Sequence, residues 1–127
     1  MNNSNDNISV IKVRGLLMVT MPPDPDDSTV SALQERVLSA IEHHDAKGVV
    51  LDISSVDTFD SFFARTVTET AQMVSLMGGR TIVVGMRPAV AVTATQIGLT
   101  LGNIETALTV DRALDLASIE PRLKPRR

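Results

Sequence analysis

Ser61 is the residue whose neighbours best support chemistry in this chain, as a hydroxyl that another enzyme could modify. Asp60 precedes it and is a strong helix N-cap, because its carboxylate can accept hydrogen bonds from backbone N–H groups one turn further on. A phosphate on Ser61 would be tolerated in the first turn of such a helix, since the N–H groups and dipole of a helix N-terminus favour an anion. The alternative is that Ser61 is an ordinary polar residue at a helix start.

Two predicted elements position this serine. Residues 49–53 form a mainly apolar run without alternation, which is typical of a strand covered on both faces in a parallel α/β sheet. The helix that begins at Asp60 buries apolar residues that recur at helical spacing. These are Phe62, Phe63, Val67, Ala71 and Val74. The serine is therefore predicted at the mouth of a helix that follows a central strand.

Five aspartates in two segments could join this chemistry. They are Asp24, Asp26, Asp27, Asp57 and Asp60. Carboxylate oxygens are the ligands of hard divalent cations, so a cation site is one interpretation. The alternative is that each aspartate caps a helix or a turn. Both segments follow predicted strands, and loops after parallel strands share one edge of a sheet, so Ser61 would lie beside several carboxylates in either case.

Several enzyme chemistries lack their residues here. Ser61 has no G-x-S-x-G context and no nearby histidine, and neither type of glycine-rich phosphate loop is present. His43 and His44 are adjacent at a predicted helix end, so they point to different sides and fit a dipole role better than a metal site. With no cysteine, thiol catalysis and zinc-thiolate sites are excluded. The residues therefore predict that this chain does not itself phosphorylate a substrate, and we expect neither a cofactor nor a metal.

The composition limits the partners and the compartment. The net charge is −3, but residues 122–127 hold four of the twelve basic groups, so the body of the chain is acidic. An acidic body with 2% aromatic residues argues against nucleic-acid binding, and the basic tail is interpreted as a solvated end. Residues 1–7 are polar and lack a signal-peptide layout, and no apolar run approaches the ~20 residues that cross a membrane. We expect a cytoplasmic protein without a membrane partner.

The chain of 127 residues fits one domain of alternating strands and helices. We predict strands at residues 8–13, 16–21, 49–53, 81–85 and 104–108, and helices at 28–44, 60–77, 88–98 and 110–119. The order ββαβαβαβα implies right-handed crossovers, a mostly parallel sheet with one antiparallel edge strand, and covering helices. Residues 1–7 are predicted to be a disordered N-terminus, 8–119 the domain and 120–127 a basic tail. The helix at 88–98 is rich in small residues and could lie close to a sheet or to another chain.

Three stretches within this order resemble the STAS domain of anti-sigma-factor antagonists. They are Val49-Val50-Leu51-Asp52, the run from Val56 to Phe62, and Pro88-Ala89-Val90-Ala91-Val92-Thr93. Further motifs resemble more narrowly the RsbS type, the single-domain scaffold proteins of the bacterial stressosome. These are Asp60-Ser61-Phe62 without a following glycine, Leu76-Met77-Gly78, Arg87-Pro88-Ala89-Val90-Ala91-Val92-Thr93, Ile97-Gly98 and Ile104-Glu105-Thr106-Ala107-Leu108. The resemblance spans about residues 8–118, whereas free antagonists tend to have Asp-Ser-Ser-Gly or Asp-Ser-Thr-Gly at this place.

This resemblance implies a non-enzymatic scaffold and phosphorylation switch in stress signalling. Such proteins assemble with RsbR-like sensor paralogues into a large particle that holds an RsbT-like serine/threonine kinase. The kinase phosphorylates the STAS serine and leaves, and an RsbX-like phosphatase resets the serine. By position, Ser61 is the phosphoacceptor and Thr58 a candidate second one. Asp60, Asp26 and Asp27 are the expected kinase contacts.

Two other functions stay open from the sequence. The first is a free anti-sigma-factor antagonist of the SpoIIAA or RsbV type, which binds an anti-sigma kinase directly. Particle size would separate it from the scaffold, because the antagonist would remain a monomer when mixed with a sensor paralogue. The second is a small flavodoxin-like enzyme or ligand-binding domain. The one observation in its favour is the sheet edge where loops after parallel strands meet. A flavin or nucleotide that co-purifies with the chain would support it.

Overall fold

A five-stranded sheet forms the centre of the protein, whose computed structural model describes residues 8–98 and 102–118. The strands are β1 (Ser9–Val13), β2 (Leu16–Thr20), β3 (Gly48–Asp52), β4 (Arg80–Val84) and β5 (Ile104–Ala107). They stand in chain order across the sheet, with β1 antiparallel to β2 and all other neighbours parallel. The predicted mostly parallel sheet with one antiparallel edge strand is confirmed. The predicted disordered segment 1–7 and basic tail 120–127 lie outside the described residues.

Strands β1 and β2 form a hairpin that turns at Arg14 and Gly15. Both turn residues have positive φ, 53° and 80°, which is the backbone that matches the twist of a two-residue hairpin. As predicted, β1 is an edge strand with a solvent-exposed face, and β2 is more buried in the sheet. Ile11 of β1 is 57% exposed, whereas Leu17 and Val19 of β2 are fully buried.

Four helices complete the predicted order ββαβαβαβα. They are α1 (Asp27–His44), α2 (Ser61–Leu76), α3 (Pro88–Gln96) and α4 (Val110–Ser118). Helix α1 begins one residue earlier than predicted, because Asp26 is its N-cap. Helix α2 begins directly after its predicted N-cap, Asp60. Among the described residues, no helix has the length and apolar character that a membrane span requires.

The helices cover the two faces of the sheet unequally. Three right-handed crossovers between strands in sequential order place α1, α2 and α3 on the same face. Their apolar side chains pack with Val49 and Leu51 of β3 in the larger core. The other face of β3 presents Val50, which packs under α4 in a smaller core. Strand β3 is thus buried on both faces, as its sequence indicates.

Candidate functional site

Three loops that follow parallel strands meet at one edge of the sheet, as this topology requires. The loop after β2 is joined to the loop after β3 by a hydrogen bond of 2.7 Å from the Asp57 N–H to the Pro23 carbonyl. The loop after β4 approaches from the other side, where a Cβ on Gly85 would stand 2.7 Å from Ser54 Cβ. The segment that leads to Ser61 is therefore held from both sides.

Ser61 is the first residue of α2, and its side chain is exposed at this edge. The Asp60 carboxylate accepts a hydrogen bond from the Phe63 N–H at 2.9 Å. The Asp60 carbonyl accepts another from the Ala64 N–H at 3.0 Å. The predicted N-cap and the position of Ser61 in the first helical turn are confirmed. Phosphorylation of Ser61 stays a prediction.

Two buried rings anchor the backbone on either side of Ser61. Phe59 is 7% exposed and Phe63 is 1% exposed, and their ring centroids lie 5.0 Å apart. Because both rings are part of the larger core, the main chain between them has little freedom to move. The serine hydroxyl is thus presented to solvent by a fixed segment, which suits recognition by another protein.

Thr58 is also exposed, in the loop that precedes α2. It lies between Asp57, whose side chain is ion-paired, and the buried Phe59. Its hydroxyl is therefore accessible, but it belongs to the loop and not to the helix start. Modification of Thr58 stays a prediction.

The aspartates at this edge have separate structural roles. Asp26 and Asp60 cap α1 and α2, and Asp57 pairs with an arginine. Asp24 and Asp27 are exposed. Within residues 8–98 and 102–118, no three or more acidic, histidine or cysteine side chains are grouped so that they could hold a metal ion. The capping interpretation therefore describes Asp26 and Asp60, and the role of Asp26, Asp27 and Asp60 in kinase contact stays a prediction.

His43 and His44 are exposed in the last turn of α1. A crossover helix runs antiparallel to its strands, so this turn lies at the opposite edge of the sheet from Ser61. A position at a helix C-terminus agrees with the predicted interaction with the helix dipole. The histidines therefore take no part in the site.

Arg87 is a residue of the site that the sequence analysis missed. It is the N-cap of α3, and its guanidinium donates hydrogen bonds to the Val56 carbonyl and to the Asp57 carboxylate, the latter at 2.5 Å. Arg87 therefore joins the loop after β4 to the loop that leads to Ser61. The sequence signals were its place before Pro88 and its membership of the run from Arg87 to Thr93 that resembles the RsbS type, and neither indicated its contacts with Val56 and Asp57.

The Asp26 carboxyl has a pKa below its ordinary value of 3.8, mainly because it accepts hydrogen bonds from Thr29 and also from the Ser28 hydroxyl. A pKa that is lower in the folded state stabilises the fold above the unfolded-state pKa, and this contribution is lost as the pH falls through the folded pKa. Asp26→Asn keeps a capping oxygen but does not titrate. We therefore expect the parent's advantage in unfolding free energy over Asp26→Asn to be constant near neutral pH and to shrink below about pH 4.

This expectation is measured by urea unfolding at a series of pH values. Asp24→Asn is the matched control, because Asp24 is exposed and caps neither α1 nor α2. An advantage over Asp26→Asn that stayed the same through the acid range would contradict the capping account.

A groove of about 380 Å³ runs beside Ser61, between α2 and the end of α3. Its lining residues are Ser61, Ala64, Arg65, Thr68, Glu69, Gln72, Ile97 and Gly98. Among the described residues, those that line the groove at the end of α3 are uncharged, and the charged ones lie on α2. A phosphate on Ser61 would therefore lie beside this groove, one helical turn from Arg65.

The fold agrees with the comparisons with known proteins. Residues 7–113 match the STAS domain family, and the chain belongs to that family. It is similar to RsbS from Moorella thermoacetica carrying a serine-to-glutamate substitution, with 32% identity, a TM-score of 0.77, and coverage of 87% of this chain and 93% of that one. The predicted STAS fold and the resemblance to RsbS are confirmed.

Two further relatives connect the chain to stressosome proteins. A chain in a structure of the stressosome, described as a signal integration and transduction hub, is 31% identical with a TM-score of 0.70, covering 84% of this chain and 93% of that one. The RsbT co-antagonist protein RsbRA of Bacillus subtilis (strain 168) is 24% identical over 112 residues, which is 88% of this chain and 38% of RsbRA. The chain spans about a third of the length of the three RsbT co-antagonist proteins that it matches.

Proposed function

We propose that this protein is a scaffold of a stressosome-type particle and that Ser61 accepts a phosphate from an RsbT-like serine/threonine kinase. The observation that carries the proposal is the presentation of Ser61. Its hydroxyl is exposed at a helix start, while Phe59 and Phe63 hold the backbone on both sides. The likeness to RsbS and to a chain of the stressosome supports the same role.

The partners follow from the relatives. One is a sensor paralogue with its own STAS domain, because RsbRA matches this chain over only part of its length and is named a co-antagonist of RsbT. The others are further copies of this chain in the particle, the kinase that the particle holds, and an RsbX-like phosphatase that resets the serine. The protein acts by binding these partners and catalyses no reaction itself.

The switch is electrostatic. The kinase transfers the γ-phosphoryl group of ATP, so the bond between that group and ADP breaks, a bond to Ser61 Oγ forms, and the hydroxyl loses its proton. The modified side chain carries a charge of about −1.5 to −2 at neutral pH. It acquires this charge beside Asp60, at an edge where Asp24 and Asp27 are also exposed. The added charge and bulk would change which kinase surface can dock at this edge, without any change of fold.

The test is phosphorylation by the cognate kinase and ATP, followed by intact mass. We expect one phosphate on the parent chain and none on Ser61→Ala. Thr58→Ala is the matched control, because Thr58 is an exposed hydroxyl three residues away on the same segment. One phosphate on Ser61→Ala together with none on Thr58→Ala would move the acceptor to Thr58 and overturn the assignment.

The scaffold role is tested separately by particle size. Co-expression with the sensor paralogue and the kinase should give a large particle that retains the kinase until ATP is added. A chain that stays monomeric in this mixture, yet is phosphorylated at Ser61, would identify a free antagonist and contradict the scaffold role.

A further inference from the structure

Arg65 is a cation without an acidic partner in the groove beside Ser61. It forms neither an ion pair nor a hydrogen bond within the described residues 8–98 and 102–118. Its guanidinium carbon instead lies 5.9 Å from the centroid of the Phe62 ring, a distance at which a cation and a ring face attract each other. Such an exposed contact is weak, so Arg65 can be drawn to a stronger partner.

The position of Arg65 on α2 places it close to a stronger partner, a phosphate on Ser61. Ser61 and Arg65 are four residues apart on one helix, so their side chains are neighbours on its surface, and both line the groove between α2 and α3. An acidic group placed four residues before a basic one is also the more favourable order for such a pair. The Oγ of Ser61 is the atom that becomes bonded to the phosphate in the proposed function, and the phosphate oxygens carry the negative charge.

The competing charges around Arg65 do not hold it. Glu69 lies one turn after Arg65 on α2 and lines the same groove, yet the two form no ion pair. Asp60 caps the helix, and the Asp57 carboxylate is paired with Arg87. Of the described residues at the end of α3, those that line the groove are the uncharged Ile97 and Gly98. A phosphate on Ser61 would be the most highly charged group within reach of Arg65.

We infer that Arg65 is the intramolecular counter-ion of a phosphate on Ser61 and that it leaves the Phe62 ring when the phosphate is added. This inference rests on the proposed function. The guanidinium donates to the phosphate oxygens, and such charge-assisted hydrogen bonds are stronger than the contact with the ring.

The movement of Arg65 away from the Phe62 ring also changes a second surface. Phe62 is half-buried and lines a second groove, between α1 and α2, which also includes Glu35 and shares Glu69 with the first groove. Arg65 covers the ring of Phe62 in the unmodified chain. Phosphorylation therefore changes two adjacent surfaces, because it adds charge beside the α2–α3 groove and uncovers an aromatic ring beside the α1–α2 groove.

The test uses chain made with phosphoserine at position 61 during translation, so that it requires no kinase. A ³¹P NMR titration gives the second pKa of the phosphate. We expect this pKa to be about 0.5 lower in the parent than in Arg65→Gln, because the cation favours the dianion. Arg65→Lys should recover part of the difference. Arg112→Gln, which removes an exposed arginine of α4 on the other face, should leave the pKa at the parent value.

A proton spectrum tests the movement itself. The side-chain methylene protons of Arg65 should be shifted by the ring current of Phe62 in the unmodified chain, and the shift should be lost in the phosphorylated chain and in Phe62→Leu. Equal phosphate pKa values in the parent and Arg65→Gln would overturn the inference even if the kinase modifies Ser61. Conversely, a kinase that does not modify Ser61 would refute the proposed function while this titration could still show the Arg65 contact.

Discussion

Gly85→Ala should lower the free energy of unfolding by about 2 to 5 kcal/mol, through two separate effects. Gly85 has a φ of +79°, a conformation that costs an alanine about 1 kcal/mol or more. The added Cβ would also stand 2.7 Å from Ser54 Cβ and 3.1 Å from Ser54 Cα. Since Ser54 Cα belongs to the backbone, the methyl group can be accommodated only if two loops of the site move apart. Urea unfolding followed by circular dichroism measures the loss, because the chain has no tryptophan or tyrosine for fluorescence.

Gly98→Ala separates the two effects. Gly98 has nearly the same φ, +81°, but a Cβ there would meet nothing within 4 Å. Gly98→Ala should therefore show only the backbone cost, about 1 kcal/mol. If both variants were destabilised equally, crowding against Ser54 would not be the reason that Gly85 is a glycine. If Gly85→Ala is less stable than Gly98→Ala, we also expect slower phosphorylation of its Ser61 at a temperature where the variant is still folded. The reason is that the loop that contains Ser54 leads to Ser61.

The parts of the site that the sequence predicted depend on local interactions. The N-cap at Asp60 and the helical spacing of the apolar residues after it are properties of about fifteen consecutive residues. They were sufficient to place Ser61 in a first turn. The shared edge of the loops followed from the alternation of strands and helices, because the topology of a parallel sheet leaves few choices.

The parts that could not be predicted depend on contacts between distant residues. Arg87 meets Val56 and Asp57 about thirty residues away, and a single sequence contains no signal for that pairing. The strand order across the sheet was also not predictable, since alternation indicates parallel strands but not which of them are neighbours. Likewise, the amphipathic pattern of α4 shows that it is packed, but not that it alone covers the second face of the sheet.

The Arg87 contacts explain how an exposed serine can be held at a constant position. The loop before Ser61 has no regular secondary structure, yet three kinds of interaction fix it. Arg87 and Pro23 bind its polar groups, Gly85 allows the close approach of a neighbouring loop, and Val56 and Phe59 bury their side chains beneath it. In the proposed function, the kinase would therefore meet Ser61 in one conformation and would not lose binding energy in ordering it.

Phe63→Ala should be the most destabilising truncation at the site, with a loss of about 3 to 5 kcal/mol. Phe63 is 1% exposed, packs on Phe59 and supplies the N–H that binds the Asp60 carboxylate. Phe62→Ala is a control of identical chemistry one residue away, and we expect it to cost only about 1 kcal/mol because Phe62 is half-buried. The same urea titrations measure both variants, and Phe63→Leu gives a milder change if Phe63→Ala does not fold.

Amide hydrogen exchange tests whether this difference in stability affects the segment around Ser61. With Phe63 truncated, the first turn of α2 loses one of its two anchors, so its amides should exchange faster relative to those of β3 than they do in the parent. Phe62→Ala should leave that ratio unchanged, because both anchoring rings remain in the core. If the two variants loosened the turn equally, burial of Phe63 would not be what fixes Ser61. The exposure of the Ser61 hydroxyl would then not depend on the packing of the core beneath it.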